Sequence, residues 1–431
     1  MKEIKYQNIE ETLYYEKLDN GLDVYIVPKK GFNKTYSTFV TKFGALSNRF
    51  VPYGESEYLN VPLGVAHFLE HKMFEMPNGD DATNLFAALG ADANAFTDYE
   101  QTAYLATSTS NTKEVINLLL DYVQEPVFND ENVKKEQGII IQELMMYLDK
   151  PGSRIHLGLL QNMYKDNLIR EDIVGTEESI KQITKEVLYT CYNTFYHPSN
   201  MILMISGNVD PSEVISIVKE NQSQKEFKPS LELKREFIVE DNTVFKKTSS
   251  IQMDILMPKV SIGLKLPFVQ YEENELLIKE FKLKMLLENT FGVSSDTYQE
   301  LLDKELINTG FNYSVYLDDY AGFIKVNANT NKVDEFIEYI TDKLMGLKHF
   351  IISDDDFEKM KKAMIGSYIK GFNHLEFIVN GYIDYKLKNG DLFKCVEILK
   401  SINKEDLYDL KKLFVKKAIC NFIILPKERS K

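Results

Sequence analysis

Residues Gly90–Val123 read GADANAFTDYEQTAYLATSTSNTKEVINLLLDYV, and residues Ile307–Ile340 read INTGFNYSVYLDDYAGFIKVNANTNKVDEFIEYI. Both stretches pass from strand to turn to strand, then through a polar turn into an amphipathic helix. Each follows a short helical segment, around Leu85–Leu89 in the first case and Tyr298–Leu302 in the second. The two lie roughly 220 residues apart, about half of the 431-residue chain, which is the mark of an internal duplication. A buried strand also closes each half, MILMISG at Met201–Gly207 and CNFIILP at Cys420–Pro426.

A chain of this length exceeds the size at which single cores stop growing, about 250–300 residues, so two domains are expected. The reading is an α+β fold with two copies of one unit; two unrelated domains with similar local patterns remain the alternative. The charged, proline-bearing stretch QSQKEFKPSLELKREF marks the join. We therefore expect a first domain at 1–225, a linker at 226–245 and a second domain at 246–431. Within the first, Leu22–Val27 and Thr38–Lys42 read as strands, and Glu114–Val123, Glu131–Leu148 and Thr184–Phe195 as helices. His197–Asp210 reads as a turn and a buried strand, leading into a helix at Pro211–Asn221.

Bulk composition excludes several classes. With 44% hydrophobic and 27% charged residues the chain has the make-up of a soluble globular protein. A net charge of −14 lacks the basic footprint of a nucleic-acid binder, so no nucleic-acid partner is expected. The N-terminal stretch has no apolar signal core, and no run of about 18 apolar residues occurs, so neither secretion nor a membrane span is expected. The three cysteines, Cys191, Cys395 and Cys420, are widely spaced without C-x-x-C pairing, as in a reduced cytoplasmic protein. Any metal site must then draw on histidine and carboxylate.

One segment carries that chemistry. Gly64–Glu75 reads GVAHFLEHKMFE, placing two of the chain's six histidines, His67 and His71, four residues apart. Positions i and i+4 share a helix face, so both rings can address one ion. Glu70 points close to the same spot and can reach a metal-bound water without being a ligand. The order H-x-x-E-H reverses the H-E-x-x-H helix motif of zinc proteases. Catalytic zinc takes three protein ligands and a water. ENVKKEQGIIIQELMMYL, Glu131–Leu148, offers Glu136 and Glu143, seven residues apart on one face beside apolar Ile139, Ile140 and Ile141. A carboxylate so placed calls for a positive partner, and zinc at Glu143 would supply it. The bland alternative is an amphipathic helix with satisfied core histidines. The second half has KMLLENTFG in the corresponding region, with no histidine.

HFLEH, followed by ADANAFTDYEQTAYL and EQGIIIQE, resembles the pitrilysin/insulinase-type zinc metallopeptidases, the inverzincins, over most of the chain. It is similar to bacterial insulinase-like peptidases of this length and to the mitochondrial processing peptidase subunits. The resemblance implies two homologous domains, each a mixed, mainly antiparallel sheet covered by helices, forming half of a clamshell. It implies one Zn2+ per chain held by His67, His71 and Glu143, with Glu70 as the base that activates a zinc-bound water. Glu136 matches the family's additional glutamate, which orients a ligating imidazole. The stretch Ala93–Thr97, with Asn94, Ala95 and Phe96 at its centre, matches the edge strand on which the family lays a peptide substrate, with Asn94 holding its backbone. Tyr313 in NYSV matches a substrate-binding tyrosine.

The second half departs from the family pattern. Where G-x-S-S-R is usual, this chain reads FGVSSD, with Asp296 in the arginine's place. A homologous subunit supplying the arginine in a heterodimer is the favoured explanation, with a homodimer as the alternative. The expected function is a zinc endopeptidase acting on short or unfolded peptides or leader sequences in an enclosed chamber. The alternative is a non-catalytic or partner-dependent peptide-binding subunit of a heterodimeric processing protease.

Overall fold

Period-two and wholly apolar segments of the first half assemble into a seven-stranded sheet. Its strands are β1 (Lys2–Tyr6), β2 (Glu11–Lys17), β3 (Asp23–Pro28), β4 (Thr35–Thr41), β5 (Ala91–Thr97), β6 (Thr102–Ser108) and β7 (Met201–Gly207), in the order β1-β2-β3-β7-β4-β6-β5. Only β3 and β7 run parallel. Strands β4 and β7 are buried at every residue, which explains why MILMISG is a continuous apolar run rather than an alternating one. The computed structural model describes residues 1–308 and 310–427. Thr309, inside the second repeat, and residues 428–431, the end of the expected second domain, lie outside the described residues.

A second sheet repeats five strands of the first. Its strands are β8 (Thr248–Met253), β9 (Lys259–Lys265), β10 (Asn312–Leu317), β11 (Gly322–Asn329) and β12 (Ile419–Pro426), in the order β8-β12-β9-β11-β10. The parallel pair, here β8 with β12, falls at the same place as β3 with β7. Even the hairpin turns match. Asp98 Oδ1 accepts hydrogen bonds from the amides of Glu100 and Gln101 at 2.8 and 2.9 Å, and Asp318 Oδ1 does the same for Tyr320 and Ala321. Mixed, mainly antiparallel sheets with helical cover were expected, and both units have them.

By packing, the chain divides into two compact units. One comprises Met1–Leu144, Asp172–Phe237 and Lys370–Leu387; the other comprises Met145–Glu171, Ile238–Ile369 and Lys388 onward. In the first, helix Leu375–Leu387 packs on β7 and β4; in the second, helix Pro151–Met163 packs on β12 and β9. Each half of the chain thus lends a helix to the sheet of the other. The approach of Pro151–Met163 is close: a Cβ on Gly158 would sit 2.3 Å from the Phe422 ring, so a side chain there would have to displace that ring. An amphipathic pattern tells that a helix has an apolar face but not which sheet will receive it. Residues 226–247, around the expected linker, form no helix or strand beyond an isolated bridge at Arg235. No described helix is long and apolar enough to cross a membrane.

Candidate metal centre

The H-x-x-E-H segment forms helix α1 (Val65–Lys72), which lies against β5, β6 and the later helix Lys185–Phe195. Its start depends on Gly64, whose φ of +88° is in the region that favours glycine. A Cβ there would stand 2.2 Å from the carbonyl oxygen of Val174, so both conformation and space exclude a side chain. Pressed onto the sheet in this way, α1 buries His67 and Glu70 along with Phe68 and Leu69.

Two further helices matter here: α2 (Thr112–Gln124), which covers β6 and β4, and α3 (Asp130–Asp149), which carries the glutamates. The start of α3 is fixed by a reciprocal pair: the Asn132 amide donates to Asn129 Oδ1 at 2.8 Å, and the Asn129 amide to Asn132 Oδ1 at 2.9 Å. That is the logic of a capping box built from two asparagines.

From these helices His67, His71 and Glu143 each offer one ligand atom, all within 4.8 Å of one another. Nε2 of His71 lies 3.3 Å, and Nε2 of His67 3.7 Å, from Oε2 of Glu143. Donors around a tetrahedral zinc stand about 3.4 Å apart, given bonds near 2.1 Å. Two imidazoles and a carboxylate at this spacing therefore fit the ion. Glu136, one further turn pair back along α3, takes the other face of His71, with Nδ1 3.0 Å from Oε1. By accepting the Nδ1–H, Glu136 would fix the ring so that Nε2 is free to serve as a ligand beside Glu143. His67 has no such support; its buried Nδ1 lacks a hydrogen-bond partner among the described residues.

The electrostatics point the same way. Burial, and then the charge of His71, push the pKa of His67 down to about 4. Burial also opposes charge on His71, but hydrogen bonds and charges from Glu136 and Glu143 outweigh it and raise the pKa to about 10. The two carboxylates thus favour positive charge beside them. Burial pushes the Glu70 carboxyl above the usual range, and a 2.6 Å hydrogen bond donated by Thr97 Oγ1 partly offsets it. Thr97 was not singled out in the sequence as a partner of Glu70; as the last residue of β5 it carries no signal except its place on the strand.

Strand β5 ends the sheet, pairing with β6 on one side only among the described residues. Asn94, Ala95 and Phe96 lie on it; Asn94 is exposed and its Oδ1 accepts from the Ala95 amide at 2.9 Å. A cavity of about 820 Å³ adjoins α1, lined by Glu70, His71, Phe74, Asn94, Ala95 and Glu136 among others. Tyr313 belongs to the second unit, on β10, where its hydroxyl donates to Glu288 Oε2 at 2.6 Å. Asp296 opens the helix Asp296–Asp303, whose cap is Ser295; an acid in the first turn suits the helix dipole.

Comparison with known proteins accounts for this architecture. Residues 55–177 match the family model described as insulinase, peptidase family M16, and residues 182–364 match the M16 inactive domain. The chain is 44% identical over 410 residues to the "uncharacterized zinc protease YmfH" of Bacillus subtilis, covering 95% of each chain. The crystal structure of an M16-like peptidase from Alicyclobacillus acidocaldarius superimposes with a TM-score of 0.92 at 32% identity, over 97% of this chain and 99% of that one. A protease from Helicobacter pylori shares the fold, with a TM-score of 0.82 at 18% identity over 96% of this chain and 99% of that one. The chain belongs to the insulinase family of peptidases, M16.

Proposed function

We propose that this chain is a zinc-dependent endopeptidase, with one Zn2+ held by His67, His71 and Glu143. The observation that carries the reading is the convergence of those three side chains on one point, with Glu70 buried beside them. The ion, when bound, lowers the pKa of a water ligand to about 7 and polarises the scissile carbonyl. Glu70 takes the proton of the attacking water and returns it to the leaving amine, a role that a carboxyl raised by burial suits. Glu136 holds His71 through Nδ1 so that Nε2 faces the metal. The open edge of β5 receives an extended peptide by main-chain hydrogen bonds, which favours short or unfolded substrates or leader sequences over folded ones.

Replacing Glu70 by Gln tests this directly. Zinc content should stay at one per chain while kcat/KM on a quenched peptide library falls by about 10²–10⁴. Undiminished cleavage would remove Glu70 from the mechanism. The rival reading, a non-catalytic peptide-binding subunit, gives no chelator-sensitive cleavage at all.

A homologous subunit completes the enzyme in our reading. Asp296 stands where the family's arginine is expected, and Tyr313 is engaged by Glu288. A heterodimer with a chain that supplies the arginine is favoured; a homodimer is the second form, and the mass of the active species separates them. The three cysteines are free and buried, which supports a reducing, cytoplasmic setting.

A further inference from the structure

Lys72 ends α1, and its side chain is 1% exposed. A buried ammonium is costly unless paired. Its partner is Glu75 Oε2, just beyond the helix, and the other oxygen of Glu75 accepts from Nδ2 of Asn132 at 3.0 Å. Asn132 is itself buried and tied to the start of α3 by its exchange with Asn129 and by a 3.0 Å bond to the Val127 carbonyl.

Asn132, Glu136 and Glu143 follow one another at spacings of four and seven, so they form a single stripe on α3. That stripe meets α1 and its exit at three levels. Glu143 faces His67 and His71, Glu136 faces His71, and Asn132 faces the Glu75–Lys72 pair. The first two levels are the metal centre itself; the third lies outside it. Elsewhere α3 is held by Gln137, which donates to the carbonyls of Lys181 and Ile183 at 3.3 and 2.9 Å. Sliding α3 by one residue's rise, about 1.5 Å, would carry Glu143 out of reach of any ion shared with the histidines.

We propose that Lys72, Glu75 and Asn132 form a positioning clamp that fixes the register of α3 against α1 and so delivers Glu143 to the metal. This inference rests on the zinc reading above. Lys72 and Glu75 stand inside the segment that also holds two ligands, so one short stretch both supplies ligands and docks the helix carrying the third. None of the three residues touches the ion in this scheme, and all three line the cavity that adjoins α1.

The test uses the full chain, with zinc affinity measured by competition against a chromogenic chelator. Because Glu75→Leu alone would strand a buried ammonium and destabilise the fold, it is combined with Lys72→Met. K72M/E75L buries no charge and cannot accept from Asn132; K72M/E75Q buries no charge and can. The clamp requires zinc affinity to fall by about 10–100-fold in K72M/E75L, as for outer partners of metal ligands, and to recover to within about threefold in K72M/E75Q. It also requires the kcat of zinc-saturated K72M/E75L to fall with KM unchanged. Wild-type zinc affinity in K72M/E75L would reduce the pair to charge compensation and overturn the clamp. His71→Ala serves as the control: retention of one zinc by that variant would overturn the metal centre itself, and its loss with K72M/E75L unaffected would overturn the clamp alone.

Discussion

Glu240→Gln should be among the most damaging single substitutions outside the candidate site. Lys265 on β9 has a side chain 1% exposed, and its ammonium lies 2.6 Å from Glu240 Oε2, 3.2 Å from the Thr243 carbonyl and 4.5 Å from the centre of the Tyr164 ring. Glu240 Oε1 also accepts the amides of Lys165, Asp166 and Asn167 at 3.0, 2.8 and 2.8 Å, anchoring the loop after Pro151–Met163. Removing the negative charge leaves Lys265 buried without its counter-ion and weakens three charge-assisted bonds. Breaking a buried pair from one side costs about 3–5 kcal/mol. Because the Glu240 side chain is still 16% exposed, the lower end applies, about 3 kcal/mol. In a unit of roughly 200 residues that corresponds to a fall in Tm of about 6–12 °C. Burial opposes the charge on Glu240, but Lys265 and the three amides hold its carboxyl below the ordinary value of 4.5. A depressed folded-state pKa gives stability that is fully present above pH 4.5 and is lost as pH falls through the folded value. Calorimetry of wild type and variant should therefore show a gap that is widest near neutral pH and closes on acidification. K265M/E240Q should recover most of the loss, since no charge is left buried and the glutamine oxygen still accepts the three amides. A variant within about 1 kcal/mol of wild type at pH 7 would refute the assignment of this pair as a buried ionic anchor.

Glu136→Gln keeps the size of the side chain but weakens its hold on His71 Nδ1; chelator competition should show zinc bound about 10–100-fold more weakly, with the fold intact by circular dichroism. Gly64→Ala meets both a φ of +88° and the Val174 carbonyl, so it should cost more than about 1 kcal/mol by chemical denaturation, and the shift of α1 should lower zinc content as well.

The H-x-x-E-H helix, the glutamates on α3 and the repeated hairpins were legible because each rests on short-range spacing. His67 and His71 reveal a shared face at four residues' separation, and Asp98 and Asp318 sit in matching turns of the two repeats. Contacts set by long-range packing were not. Nothing in the spacing of Lys72, Glu75 and Asn132 announces that a buried ammonium would bridge to α3 through a carboxylate. Nor does Thr97 announce that its hydroxyl would turn onto Glu70. The exchange of helices was hidden for a related reason: Pro151–Met163 and Leu375–Leu387 are amphipathic wherever they dock, and the receiving sheet is a property of the whole chain.

Synthesis on the ribosome gives the exchanged helices a cost in time. Strand β7 is complete at Gly207, yet the helix that packs on it begins only at Leu375. Roughly 170 more residues must emerge, which at about 5–20 residues per second leaves that face of β4 and β7 bare for about 10–35 s. Over that interval the apolar run MILMISG is exposed as newly made chain, a stretch that a holding chaperone would engage. The helix Pro151–Met163 meets the opposite situation, waiting with its apolar face uncovered until β12, near the end of the chain, is made. The first half, released alone by a cut in residues 226–245, would keep its candidate metal ligands and lose the lid of its own sheet.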